Sequence, residues 1–193
     1  MKIYKNLFIN MVRAENLRTA WDEFKKGKRK KIDVQIFERD IENNLFKLHQ
    51  DLIHKKYQHG KYTDFYIHDP KLRHIHKAEV RDRVVHHTLF QCLYSIFEPT
   101  FIPDSYSARL DKGTHKAVER LKVFTRKVQQ SYGGCFILKC DIKKFFASID
   151  HEILFNIIAR RIKDSDVLWL IRLIIESFSI ERERERRVRL LEI

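Results

Sequence analysis

The sequence predicts a helix-rich α+β fold, and three observations lead there. Only five glycines and three prolines occur in 193 residues, too few turn formers for a β-sandwich or β-barrel. Apolar residues recur at helical spacing through most of the chain. Two places break that period: an Asp-Pro turn between short extended runs, and a compact apolar run, Cys135-Phe136-Ile137-Leu138, of strand length.

Taken in order, residues 6–26 read as one amphipathic helix carrying Leu7, Met11, Leu17, Trp21 and Phe24. It stops at Lys25-Lys26-Gly27-Lys28-Arg29-Lys30-Lys31, where mutual repulsion predicts a solvated loop. That loop is either a solubilising turn or a grip for phosphates, with Lys28 and Arg29 as candidate nucleic-acid contacts. Phe37, Ile41, Leu45, Leu48 and Leu52 step by three and four residues, predicting a helix that ends near Lys55. Tyr62–Ile67 and Arg73–Ile75 flank Asp69-Pro70 and predict a hairpin. Val84, Val85, Leu89, Leu93 and Ile96 predict a helix that proline stops at Glu98-Pro99.

Thr114 is placed to cap a helix bearing Ala117, Val118, Leu121, Phe124 and Val128, which Gly133-Gly134 ends. Residues 135–138 then read as a buried strand with Asp141 just beyond it. Asp150 is placed to cap a helix with Ile153, Leu154, Ile157 and Ile158. Asp164 or Ser165 starts another that carries Val167, Leu168, Ile171 and Ile175. No internal repeat is detectable.

Lys and Arg number 39 against 26 Asp and Glu, a net charge of +13, and the pI is near 9.7. An anionic partner is the first expectation. A hydrophobic fraction of 44% with 14 Phe and 7 Tyr excludes a disordered basic tail. No apolar run is long enough to span a bilayer, and the first residues lack a secretory signal, so the expected compartment is the cytoplasm with no membrane partner. Cys92, Cys135 and Cys140 form no C-x-x-C and indicate neither a disulfide framework nor a cysteine zinc site. No P-loop, G-x-S-x-G or G-x-G-x-x-G occurs.

Asp141 after a strand is either a turn or cap residue or a ligand for metal or phosphate; phosphoryl transfer requires further carboxylates. His74 and His76 can share one strand face, but no third ligand completes a metal set. His86 and His87 read as ordinary surface or half-buried residues.

Leu138-Lys139-Cys140-Asp141-Ile142-Lys143-Lys144-Phe145-Phe146-Ala147-Ser148-Ile149-Asp150-His151 resembles the first catalytic motif of bacterial-type reverse transcriptases, the group of group II introns, retrons and diversity-generating retroelements. Asp69-Pro70-Lys71-Leu72-Arg73-His74-Ile75 with Arg81-Asp82-Arg83-Val84-Val85-His86-His87 resembles the fingers motif. Phe101-Ile102-Pro103-Asp104-Ser105-Tyr106-Ser107-Ala108-Arg109 with Lys112-Gly113-Thr114-His115 resembles the next. The order matches over roughly residues 35–178, closest to the branch related to diversity generation.

The resemblance implies an RNA-directed DNA polymerase of right-hand fold, with fingers and the first part of the palm in this chain. Residues 1–34 would be an N-terminal extension with the basic loop, 35–130 fingers, 131–180 partial palm with an incomplete sheet, and 181–193 a charged tail foreign to the pattern. It implies Mg2+ as cofactor, held by Asp141 with help from the Ile142 carbonyl. Phe146 would be the steric gate against a 2′-hydroxyl, and Arg73 with Lys71 would grip the incoming deoxynucleoside triphosphate. Arg109 and Lys112 would touch template or organise the fingers. The implied partners are template RNA, DNA primer and an accessory protein of the retroelement.

The family's glycine-rich motif and aromatic-x-Asp-Asp turn are missing: no Asp-Asp pair occurs, and Glu181-Arg182-Glu183-Arg184-Glu185-Arg186-Arg187 stands where the former should begin. The expectation is a continuation replaced after about Phe178 by a frameshift, a stop or a fragmentary gene, leaving a chain inactive alone. The alternative is a non-catalytic RNA- or DNA-binding module derived from a reverse transcriptase.

Overall fold

The computed structural model describes the backbone of residues 2–70, 72–142 and 145–191, and side chains of these except 146, 147 and 179–191. The chain divides into two units, Met1–Cys92 with Asp150–Ile193, and Leu93–Ile149. Helices dominate and one antiparallel hairpin accompanies them, which is the α+β class.

The first unit begins with α1 (Phe8–Met11) and α2 (Ala14–Phe24). The single helix expected over 6–26 is broken because Arg13 is extended, at φ −55° and ψ 146°. α3 (Ile32–Arg39) and α4 (Ile41–Ile53) likewise share a kink at Asp40, φ −128° and ψ 46°. Between α2 and α3 the basic segment is a turn around Gly27, at φ +71°, a conformation that costs glycine nothing. The hairpin pairs β1 (Thr63–His68) with β2 (Leu72–Lys77), Tyr66 opposite His74 and Ile67 opposite Arg73. α5 (Val80–Phe97) follows, and the unit closes with α8 (His151–Arg161) and α9 (Ser165–Leu191).

The apolar stripes read from the sequence make this unit's core. Leu17, Trp21, Leu48, Leu52, Val84, Val85, Ile162, Val167 and Leu170 are fully buried, each contributing about 1.5–3 kcal/mol by leaving water. Trp21 stacks at a tilt on Phe37, ring centroids 5.1 Å apart. Asp33 bridges two elements, pairing with Lys77 of β2 at 2.7 Å and with Arg83 of α5.

Asp164 closes the unit. One carboxylate oxygen accepts from the Leu7 and Phe8 N–H groups at 2.6 and 3.0 Å. The other accepts from Asp166 and Val167 at 3.0 and 3.1 Å, capping α9. Beside it Tyr4 N–H donates to the Arg161 carbonyl and Lys163 N–H to the Tyr4 carbonyl, a parallel bridge from Tyr4 to Ile162. The same carboxylate therefore serves two helix starts. Burial pushes its pKa up, but the four backbone donors outweigh that and hold it below the ordinary carboxylate value.

The second unit holds a 3₁₀ turn at Glu98–Thr100, α6 (Thr114–Tyr132) and α7 (Phe145–Ser148). Thr114 is the first helical residue of α6 and not its cap; Gly113 takes the cap position at φ +106°, which a side-chain-bearing residue rarely adopts. Gly133 ends the helix at φ +71°, its N–H bonded to the Gln129 carbonyl, as the paired glycines predicted.

Residues 135–138 do not form the expected buried strand. They lie outside regular structure, with Phe136, Ile137 and Leu138 exposed. Among the described residues the only sheet is the hairpin, and the expected palm sheet has no strand among them: an extended segment becomes a strand only where a neighbour takes its N–H and C=O groups. The apolar stripe of α6 is also exposed at Val118, Leu121, Phe124 and Val128.

Replacing Asp164 with Ala strips an N-cap and leaves the N–H groups of Leu7 and Phe8 unpaired, so urea denaturation should show a loss of about 2–3 kcal/mol. Because the folded pKa is lowered, this stabilisation is present above the unfolded carboxylate pKa of about 3.9 and is lost as pH falls through the lower folded value. A wild-type midpoint no higher than that of Asp164→Ala at neutral pH would contradict the assignment.

Candidate functional site

The hairpin presents different chemistry on its two faces, because side chains alternate along a strand. Asp64, Tyr66, His74 and His76 share one face. His74 Nε2 lies 2.9 Å from Asp64 Oδ2, and its ring stacks on Tyr66 at 4.4 Å and meets His76 at 4.3 Å. The His74 hydrogen bond holds the Asp64 carboxyl below its usual value. The two histidines thus share a face as the sequence predicted. Arg73 belongs to the opposite pleat and is exposed, open to an anionic ligand. Lys71 lies outside the described residues.

Asp141 and Ile142 are exposed and lie outside helix and strand. Among the described residues no group of three His, Cys, Asp or Glu is placed to hold a metal ion. The Phe146 side chain lies outside the described residues. Asp150 accepts from Ile153 N–H at 2.9 Å and caps α8.

Arg109 is committed within its own loop. Its Nε lies 3.0 Å from both Glu98 oxygens and Nη2 lies 2.6 Å from one, while Nη1 donates to the Ile102 and Ser105 carbonyls at 2.8 and 3.0 Å. The Arg109 hydrogen bonds hold Glu98 below the usual carboxylate range. Lys112 donates to the Pro103 carbonyl at 2.7 Å and sits over the Tyr106 ring. Both residues therefore organise the loop of residues 98–113.

In the basic turn, Lys28 donates to the Phe24 carbonyl at 2.7 Å with its ammonium over the Phe24 ring, and the Arg29 carbonyl accepts from Gln35. Lys25 is spoken for by Asp22 and Glu38. Lys26, Arg29, Lys30 and Lys31 are exposed, leaving a short cationic ridge on a pinned backbone. Among the described residues no helix is long and apolar enough to cross a membrane.

The structure also assembles a buried polar group that sequence reading missed. Asp82, fully buried on α5, accepts from Tyr57 Oη at 2.7 Å and from Gly60 N–H at 3.0 Å. His59 stacks between Tyr62 and His86. Asp82 and His86 stand within the fingers motif without a role read for them there, and the Pro-free run Tyr57-Gln58-His59-Gly60 holds the glycine and aromatics that a close turn against a helix uses.

Parts of the chain are distantly similar to curated proteins, among them an intron maturase and a protein in an intron. It is 26% identical over 101 residues to "Protein YkfC" of Escherichia coli strain K12, covering 52% of this chain and 26% of that protein. It is 32% identical over 93 residues to "Uncharacterized 91 kDa protein in cob intron" of Schizosaccharomyces pombe, 48% of this chain and 11% of that protein. To "Nuclear intron maturase 1, mitochondrial" of Arabidopsis thaliana it is 28% identical over 105 residues, 52% of this chain and 14% of that protein. No family model matches. About half of the chain is thus matched, over at most about a quarter of each relative's length. These distant similarities support a broad, reverse-transcriptase-related grouping.

Arg109→Ala should release the 98–113 loop, and limited proteolysis should cut it several-fold faster than in wild type while cleavage of the first unit is unchanged. Arg109→Lys should not restore protection, because an ammonium cannot reproduce the guanidinium fork. Equal cutting of wild type and Arg109→Ala would contradict the loop-organising role.

Proposed function

We propose that this chain is the fingers and first palm portion of a retroelement reverse transcriptase, an RNA-directed DNA polymerase that grips an RNA template annealed to a DNA primer. The observation that carries the reading is the agreement between the Leu138–His151 motif and the similarity of about half the chain to an intron maturase and a protein encoded in an intron. The net charge of +13 supplies the electrostatic attraction that such a partner requires.

In this reading Arg73, exposed on β2, offers two parallel N–H donors to a triphosphate, with Lys71 adding a point charge. Phe146 would set its ring under the incoming sugar and reject a ribose by shape. The ridge at Lys26–Lys31, with Lys28 and Arg29 at its centre, would meet phosphates of the template. An accessory protein of the retroelement is a natural further partner.

Magnesium, when bound, supplies charge neutralisation for phosphoryl transfer. Asp141 and the Ile142 carbonyl are hard oxygen donors of the right chemistry, but a two-ion site needs more carboxylates. The described residues bring no such cluster, so this set of donors does not fit the two-ion site by itself.

The reading is tested by fluorescence anisotropy with an RNA template annealed to a DNA primer across a salt series, together with photo-crosslinking of a labelled deoxynucleoside triphosphate. Log affinity should fall linearly with log salt, by roughly 0.7–0.9 per phosphate contacted. Arg73→Ala should lower crosslinking about tenfold, the effect of losing one charge-assisted pair worth about 1.4 kcal/mol, with duplex affinity nearly unchanged. Salt-sensitive binding with no triphosphate crosslinking would favour a non-catalytic nucleic-acid-binding module, and salt-insensitive binding would overturn both.

A further inference from the structure

The buried group at the foot of the hairpin contains a contact between two imidazole nitrogens that has room for one proton, not two, between them. His59 Nδ1 lies 2.7 Å from the Gly60 carbonyl and must donate to it. With both rings neutral His59 Nε2 is therefore an acceptor, and it faces His86 Nε2 at 3.1 Å, so His86 carries the proton between them. The rings stack, centroids 5.1 Å apart, and Tyr62 stacks on the far side of His59 at 4.9 Å. The His59 side chain is 3% exposed.

This stack ties three elements together. His86 stands on α5. Tyr62, immediately before β1, contacts the Ser177 hydroxyl on α9 at 3.0 Å and the Phe178 ring edge at 5.9 Å. Ser177 already donates to the Ile174 carbonyl, so Tyr62 donates to Ser177. His76 of β2 meets the same Phe178 ring at 5.3 Å. The segment before the hairpin is thus tied to α5 through the two imidazoles as well as through Asp82, and to α9 through Tyr62 and His76.

We propose that His59 and His86 form a proton-operated latch that holds residues 57–62, and with them the foot of the β1–β2 hairpin, against α5 and α9 while both rings are neutral. A proton on each ring sets two N–H groups head to head across 3.1 Å and puts two cations in one stack. A proton added at His86 Nδ1 places a cation in a half-buried site beside Arg83.

The surrounding charges decide the direction. From α5, Asp82 lies 3.8 Å from His59 Nδ1 and favours a cation, but both its oxygens are taken by Tyr57 and Gly60. Glu79, immediately before α5, packs where a Cβ on Gly60 would stand, and Arg83 opposes a charge on His86. The segment's own Tyr62 faces the His59 ring while Tyr57 is bonded to Asp82, and α9 presents the neutral Ser177 and Phe178. Burial first, and the second imidazole next, push His86 down to about 4.

The sign follows. A base whose folded pKa is lowered leaves the closed state fully stable above its ordinary value near 6.5, and stability is lost as pH falls from there through about 4. The latch stands whether or not Arg73 meets a triphosphate.

Hydrogen exchange on the full chain, corrected for intrinsic rates at each pH, tests it with His86→Gln, whose amide nitrogen can donate to His59 Nε2 without titrating. Between pH about 6.5 and about 4 the amides of β1 and β2 should lose protection about tenfold more than those of α2 and α4, as expected of local opening, and His86→Gln should remove the difference. Equal losses in hairpin and helices, or the same hairpin loss in His86→Gln, would overturn the latch. Should the variant fail to fold, NMR titration of the wild-type His86 ring decides: a midpoint near 4 supports the latch and one at or above about 6.5 contradicts it.

Discussion

The first unit is held closed by a single carboxylate. Asp164 takes four backbone N–H groups, two from residues 7 and 8 and two from the start of α9, and so joins segments more than 150 positions apart. An isolated helix start leaves its N–H groups to water; here two starts share one acceptor, and the entry into α1 depends on the entry into α9. The Tyr4 bridge to Arg161 and Lys163 continues the same seam. With the seam formed, Ile162, Val167 and Leu170 are buried in the same unit as Leu17 and Trp21. Chain entropy makes such a distant closure costly, which is why a half-buried, multiply bonded acceptor stands there and not a lone surface ion pair.

The contrast with residues 93–149 follows from where apolar area is buried. Nearly all fully buried side chains belong to the first unit, whereas in the second the α6 stripe and residues 136–138 are exposed. Local chemistry does most of the ordering in that second unit: the Arg109–Glu98 fork, the Lys112 bond to Pro103 and the glycines that bound α6. A segment organised by polar contacts and helix propensity alone is intrinsically less stable than one built on a core.

Much of this was legible in the sequence because the relevant forces are local. Helical spacing at Leu45, Leu48 and Leu52, the Asp-Pro turn, the proline stop after Phe97 and the Asp150 cap each depend on neighbours within a few residues. The failures are the non-local cases. Cys135–Leu138 has strand composition, but strand formation is decided by a partner that composition does not specify. The break at Arg13 separates α1, whose start Asp164 caps, from α2. Of the candidate site, Asp141 and Arg73 were singled out by motif and are exposed, while Tyr57 and His59 carried no pattern and Asp82 stood in the fingers motif with no role of its own, since their meeting requires the turn before β1 to fold onto α5.

The claim that the seam at Asp164 closes one cooperative unit is tested most directly by native-state hydrogen exchange across a mild denaturant series. Amides of Leu7, Phe8, Val167 and Ile171 should open together with those of α2 and α4 on one common isotherm, while α6 exchanges earlier at a lower opening free energy. Opening of residues 4–8 at a separate, lower free energy, with α2, α4 and α9 still protected, would contradict the account.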